Sequence, residues 1–325
     1  MIAVIALNTI FQKWGISTRS NQWNISGEPC SGAAIDSTSF DDKNYNPFIK
    51  CDCSANSNST CHINQLKVYA LNIVGVIPDE LWALTFLFNL SFGINALSGT
   101  LPKELGNLTD LLSLSFSTNN FIGSLPSELG NLVKLEQLMS VAQDYKNFVT
   151  TNLICHIASY FDSSRVSGAI PSTFANLKSL VTVWASDTEL IGRIPDFIRN
   201  WSKLITLRLE GNSLEGPIPL TFSNLTSLTE LRISDLPNGS SSLAFIKNMK
   251  SLSTLVLRNN NISDSIPSNI GEYLNLSQLD LSFNNITGQI PNALFNLSLL
   301  SFLFLGNNKL NGTLPAQKSE SLLNM

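Results

Sequence analysis

Apolar residues recur along this chain in one frame, L-x-x-L-x-L-x-x-N-x-L-x-G-x-I-P. It is complete at Leu204, Leu207, Leu209, Asn212, Leu214, Gly216, Ile218 and Pro219, and nearly so at Leu276, Leu279, Leu281, Asn284, Ile286, Gly288, Ile290 and Pro291. The alternation around Leu207 and Leu209 predicts a short strand whose leucines point inward while the intervening residues face solvent. Apolar pairs after the proline, Leu105 with Leu108, Phe222 with Leu225 and Leu294 with Leu297, share one face of a helical turn. The frame's proline returns at Pro78, Pro102, Pro126, Pro171, Pro195, Pro219, Pro267, Pro291 and Pro315, mostly in 24-residue steps.

A unit this short cannot bury its apolar face alone, so neighbours must stack into one core. That is a leucine-rich-repeat solenoid. The expected architecture is a curved right-handed superhelix with a parallel β-sheet on the concave face and short 3-10 or helical turns on the convex side. Two proline steps are irregular, one of 48 residues and one of 45. The first hides a full unit, with Leu228, Leu231, Ile233 and Leu236 at the strand positions, Ile246 and Met249 downstream, and Leu243 where proline should stand. The second is one period plus 21 residues, and removing 139–159 rejoins Leu138 to Tyr160 in frame. The expected organisation is therefore a cysteine-containing cap over 1–62, then about ten repeats over 63–325 interrupted by the insert 139–159.

Charge and composition narrow the function. Hydrophobic residues make up 43% of the 325-residue chain and charged residues 14%, with a net charge of −4. This lacks the basic stripe a nucleic-acid partner requires. No apolar run approaches the roughly 20 residues of a membrane helix. The run Met1 to Leu7 has no basic residues before it and does not read as a secretory leader. Asn-x-Ser/Thr sequons begin at Asn24, Asn58, Asn89, Asn107, Asn200, Asn224, Asn238, Asn261, Asn275, Asn285, Asn296 and Asn311. Asn89 aside, these are the candidate glycosylation sites, and their density favours an extracellular protein. Cys30, Cys51, Cys53 and Cys61 crowd the cap and read as two disulfides whose pairing stays open. A zinc site using His62 is the rival, disfavoured because paired C-x-x-C knuckles are missing. Neither a metal nor a cofactor is expected, and Cys155 in the insert has no evident partner.

Within the frame, Asn95, Asn119, Asn212, Asn260, Asn284 and Asn308 share one register, where a side-chain amide can satisfy backbone groups at the turn. They read as structural. The outward strand residues are the candidate binding surface: Lys67, Ser91, Ser115, Tyr160, Trp184, Arg208, Arg232, Val256, Asp280 and Phe304. Tyr160, Trp184, Arg208 and Arg232 are consecutive and of the types enriched at binding hot spots. The plainer alternative pairs the arginines with Glu210 and Glu230 on neighbouring strands. Phe283, Phe302 and Phe304 form a second candidate patch. With His62 and His156 the sole histidines, one in the cap and one in the insert, no catalytic constellation has a framework.

The G-x-I-P ending resembles the plant-specific class of leucine-rich repeats, in which the motif adds a second short strand beside the first. The amino-terminal segments Ala6 to Trp14, Trp23 to Cys30 and Cys51-Asp-Cys53 resemble a narrower group: plant receptor-like serine/threonine kinases whose repeats precede a malectin-like domain. The similarity covers nearly the whole chain outside 139–159. It implies a cell-surface or apoplastic ectodomain that recognises a peptide, wall-derived or protein ligand, with a co-receptor, and takes part in signal transduction. The group's kinase parts, a Gly-rich phosphate loop, His-Arg-Asp and Asp-Phe-Gly, have no counterpart here, so the chain itself is not expected to be an enzyme. Other readings are a secreted enzyme inhibitor or decoy, or the product of a misread or decayed gene.

Overall fold

The computed structural model describes residues 2–17, 27–55, 60–139, 165–314 and 319–324. It comprises two compact units, Met1–Ser167 and Gly168–Met325.

In the first unit, helix α1 (Ile2–Lys13) buries Ala6, Leu7, Ile10 and Phe11, with Trp14 just beyond its end. The Trp14 indole N–H donates to the Val76 carbonyl at 3.0 Å, and Lys13 pairs with Glu80. The apolar run at the start of the chain is therefore half of a cap helix covering the first coil. Strands Phe48–Ala55 and Thr60–Lys67 form an antiparallel hairpin, with Cys30 bonded to Cys51 and Cys53 to Cys61. Both bridges lie in the cap, and together they use every thiol that a zinc site would have needed. The hairpin's second strand is also the first rail of the parallel sheet, so the expected boundary at residue 62 falls inside a strand. Asn89–Ser91, Ser113–Ser115 and Gln137–Met139 follow it in register.

The second unit repeats one coil with little variation. Thr182–Trp184, Thr206–Arg208, Glu230–Arg232, Thr254–Val256, Gln278–Asp280 and Phe302–Phe304 pair as parallel neighbours without a register shift. The middle residue of each strand points in, and Leu207, Leu231, Leu255, Leu279 and Leu303 are fully buried. Burying each such side chain contributes about 1.5–3 kcal/mol. The second strand implied by G-x-I-P is present as Val74–Gly75, Ala96–Thr100 and Asn120–Ser124 in the first unit, and as Glu189–Arg193 with Ser213–Glu215 in the second.

Opposite the strands, each frame proline among the described residues opens a five-residue 3-10 turn, as at Lys103–Asn107, Asp196–Asn200 and Asn292–Asn296. Proline suits that entry because its fixed φ is already extended and it brings no N–H to satisfy. In the repeat without proline, Ser242 takes over. Its hydroxyl accepts from the Ala244 N–H at 3.0 Å, capping the turn Leu243–Asn248.

The asparagine ladder holds successive coils together. Asn95 Oδ1 accepts from the N–H groups of Leu71 and Ile73, while its Nδ2 donates to the Val68 carbonyl of the preceding coil. Asn119, Asn212, Asn260 and Asn308 repeat the pattern, donating to Phe92, Ala185, Ile233 and Leu281. Two positions in the register lack asparagine within the second unit: Thr188 reaches the Asn212 carbonyl oxygen with its hydroxyl, and Leu236 offers its backbone N–H to Asn260.

Candidate functional site

The outward positions of the second unit's strands bring Trp184, Arg208 and Arg232 side by side, since Trp184 pairs with Arg208 and Arg208 with Arg232 across the sheet. Tyr160 lies outside the described residues. The place beside Ser115 that the repeat frame assigns to it belongs to Met139, the first residue counted as insert. A parallel ladder is completed by backbone groups, so the strand runs one residue past the point where the leucine pattern breaks.

The arginines do not divide between Glu210 and Glu230 as their spacing suggests; both bond Glu230. The Arg208 guanidinium lies 3.9 Å from the centre of the Trp184 ring and sends Nη2 to the Glu230 carboxylate at 2.7 and 2.9 Å. From the other side, Arg232 donates Nε to Glu230 at 2.6 Å and Nη2 to Gln278 at 3.3 Å. One carboxylate thus links two cations, one of them stacked on an indole. Burial raises the Glu230 carboxyl, but the hydrogen bonds and charges of Arg208 and Arg232 together outweigh it and hold the group below the usual range. These side chains are only 17–25% exposed, so the pairing is worth more than an open surface bridge.

Glu210 is left over. Burial pushes its carboxyl up, and its own N–H, the neighbouring Ser186 hydroxyl, Arg232 and Arg208 offset that only in part. The Ser186 hydroxyl lies near enough to act on the carboxyl but makes no hydrogen bond of ordinary length, and Glu210 Oε2 and Arg208 Nε are likewise buried without one. Asp187, also raised by burial, sets Oδ1 where a β-carbon on Gly211 would stand. Gly211 has φ +71°, so this turn needs glycine on both counts. The repeat frame treats Ser186 and Asp187 as turn residues and gave no reason to select them. The one available signal was their place two and three residues after Trp184.

A raised carboxyl has a testable consequence. Between the ordinary value and the raised one, folded Glu210 keeps a proton that the unfolded chain has lost, so the penalty grows as pH rises through that window. Glu210→Gln is expected to raise Tm at pH 7, with the gain vanishing below about pH 4, near the ordinary glutamate value. Thermal scans across that range check it, and a Tm difference independent of pH contradicts it.

The second patch is less coherent. Phe302 and Phe304 flank one strand, 40% and 37% exposed, and Phe283 is 44% exposed beneath the Arg258 guanidinium. Among the described residues no ring contact joins Phe283 to the other two. Sequons Asn24 and Asn58 lie outside the described residues. Asn107, Asn200, Asn224 and Asn296 end 3-10 turns and are exposed, as are Asn238, Asn261, Asn275 and Asn311, while Asn285 is half-buried. None of them stands on the three strands that present Trp184, Arg208 and Arg232, or on the three that follow in the same sheet.

The Leucine Rich Repeat family model matches residues 110–132, 203–225, 251–273 and 275–297. Two probable LRR receptor-like serine/threonine-protein kinases of Arabidopsis thaliana are similar in sequence, 55% identical over 83 residues and 53% over 84. Those segments cover 25% and 26% of this chain and 8% of each relative. Among solved structures, the plant peptide hormone receptor RGFR1 in complex with RGF2 superposes with a TM-score of 0.63 at 32% identity, over 76% of this chain and 36% of that one. A plant ice-binding protein superposes at 0.70 and 24% identity over 99% and 93%, which is a likeness of fold. The chain is a leucine-rich-repeat solenoid homologous to the LRR ectodomain of plant receptor-like serine/threonine kinases. The aligned segments contain no kinase domain, and among the described residues no helix is long and apolar enough to cross a membrane.

Proposed function

We propose that this chain is an extracellular recognition module that binds a peptide ligand on the strand face of its second unit, centred on Trp184, Arg208, Glu230 and Arg232. The observation that carries this is the cluster of one indole and two guanidinium groups on adjacent strands, Arg208 stacked on Trp184 and sharing Glu230 with Arg232. These partly exposed aromatic and cationic groups are of the types enriched at binding hot spots, and they suit the carbonyl, carboxylate and apolar groups of a peptide. The strands carrying these residues are free of sequons, which keeps glycans off the face. RGFR1, similar in fold and sequence, is a peptide hormone receptor, which favours a peptide over a small molecule.

By the same reading the chain is the ectodomain portion of a receptor-like kinase of the group with a malectin-like domain, acting at the cell surface with a co-receptor. Signal transmission would then fall to parts of the protein beyond these repeats.

The test is to titrate the secreted chain with RGF2 and a panel of synthetic secreted plant peptides. A binder is expected, and Trp184→Ala or Arg208→Ala should each weaken it by about thirtyfold, the ~2 kcal/mol of a hot spot. Unchanged affinity in both variants would remove this face from the account.

A further inference from the structure

The second unit has a groove of about 570 Å³ along the loops that leave the ends of its strands, with Asp235, Asn259, Asn261 and Asn307 around Phe283 and Asn285. This size lies within the ordinary range of ligand-holding clefts, about 300–1,000 Å³. Asn285 opens the sequon Asn285-Ile286-Thr287. Phe283 stands two residues before it, at φ +57° and 44% exposed. The left-handed turn is common to the coil, since Asp235, Asn259 and Asn307 share it, but Phe283 alone of these four places an aromatic ring there. Arg258 covers one face of the ring at 4.4 Å.

We propose that Asn285 carries an N-linked glycan whose first sugar packs its C–H face on Phe283 inside this groove. Two other described sequons also have an aromatic residue two positions upstream, Phe222 before Asn224 and Tyr273 before Asn275, but both rings are fully buried. Only the Asn285 sequon pairs its acceptor amide with an open ring at that position. The amide geometry allows the modification. Asn285 Nδ2 gives one N–H to Asn261 Oδ1 at 2.8 Å, and a primary amide has a second. The amides of Asn259 and Asn307 with the Asp235 carboxylate supply donors and acceptors for sugar hydroxyl and acetamido groups. Asn259 already bonds Asp235 at 2.8 Å, which fixes that wall of the groove.

The transfer is performed on this chain, not by it. A lipid-pyrophosphate-linked oligosaccharide is the donor: its anomeric carbon bonds Nδ2 of Asn285, its C–O bond to phosphate breaks, the lipid pyrophosphate leaves and Nδ2 loses one proton. The inference rests on the extracellular reading, because only the secretory route exposes the chain to that donor.

The experiment therefore supplies the route. The full chain is expressed in plant cells behind a heterologous secretion leader, and its glycopeptides are deglycosylated with peptide N-glycosidase A in heavy-oxygen water. Asn285 is expected to appear as labelled aspartate. Removing the glycans is expected to lower Tm in the parent, and by a smaller, matching amount in Thr287→Ala, which lacks the sequon, and in Phe283→Leu, which keeps apolar bulk but has no ring. Labelling at Asn107 or Asn200 with Asn285 unmodified overturns the proposal. So does a parental Tm shift in Phe283→Leu, which would show that the sugar does not use the ring. No labelling at any sequon overturns it too, while leaving peptide binding at Trp184 and Arg208 to be judged by its own titration.

Discussion

Asn284→Ala is expected to destabilise the second unit by about 3–5 kcal/mol, several times the cost of an ordinary surface change. The wild-type amide is 7% exposed and makes five bonds. Its Oδ1 accepts from the N–H groups of Asn260 and Ile262, both at 3.0 Å. Its Nδ2 donates to the carbonyls of Leu257 at 2.8 Å, Leu281 at 3.0 Å and Ser282 at 3.1 Å. Alanine removes all of these and lets in little water, so backbone groups on two coils are orphaned at about 1–3 kcal/mol each, with incomplete additivity. Because coils contact only their neighbours, the loss should be local before it is global. Hydrogen exchange is expected to speed up most at Ile262 and Asn260, and the urea midpoint to fall. Asn308→Ala, which breaks a less buried rung, should cost less. A loss below about 1 kcal/mol for Asn284→Ala would mean that the ladder decorates the turns without holding them.

Most of the architecture was legible because a solenoid writes its coil into the chain one turn at a time. Leu207, Leu231 and Leu255 each sit where the frame puts them, and even the unit without its proline is found, since Leu231 and Ile233 keep the strand period. The ladder was legible for the same reason: Asn95 and Asn308, far apart in sequence, occupy the same point of the coil. The misses depend on information the period does not contain. The cysteine pairing is set by where the hairpin Phe48–Ala55 and Thr60–Lys67 places its side chains. Which glutamate the arginines choose is a matter of reach: Glu230 shares a strand with Arg232 and stands one strand from Arg208, whereas Glu210 lies past the strand's end. Met139 takes Tyr160's register because hydrogen bonding extends a strand regardless of side chain.

Trp201→Ala is expected to cost about 4 kcal/mol, the middle of the range for removing a buried large aromatic side chain. Trp201 is 2% exposed and stands where most repeats place leucine, at the end of a 3-10 turn. Its indole N–H donates to the Phe174 carbonyl one coil earlier at 3.0 Å, and its ring meets Phe197 edge-on at 6.0 Å. Tyr273 repeats the device, its hydroxyl donating to the Ile246 carbonyl at 2.5 Å; burial first, and then the charge of Glu272, push that phenol up to about 12, so it stays a donor across the usable pH range. The variants divide the effect. Trp201→Phe keeps most of the volume and loses the hydrogen bond, about 1–2 kcal/mol, whereas alanine adds the cavity. Trp201→Leu restores the residue common in the frame and should fall between them. Equal Tm losses for phenylalanine and alanine would place the whole effect in the hydrogen bond and contradict the packing account. The same series separates stability from recognition. Trp201 lies on the turn side and Trp184 on the strand side of successive coils, so Trp201→Phe should lower Tm with peptide affinity intact, and Trp184→Ala should do the reverse. If Trp201→Phe also weakens binding, strand spacing at Arg208 depends on how the turns pack, and the site is a property of the stacked coils as much as of its own side chains.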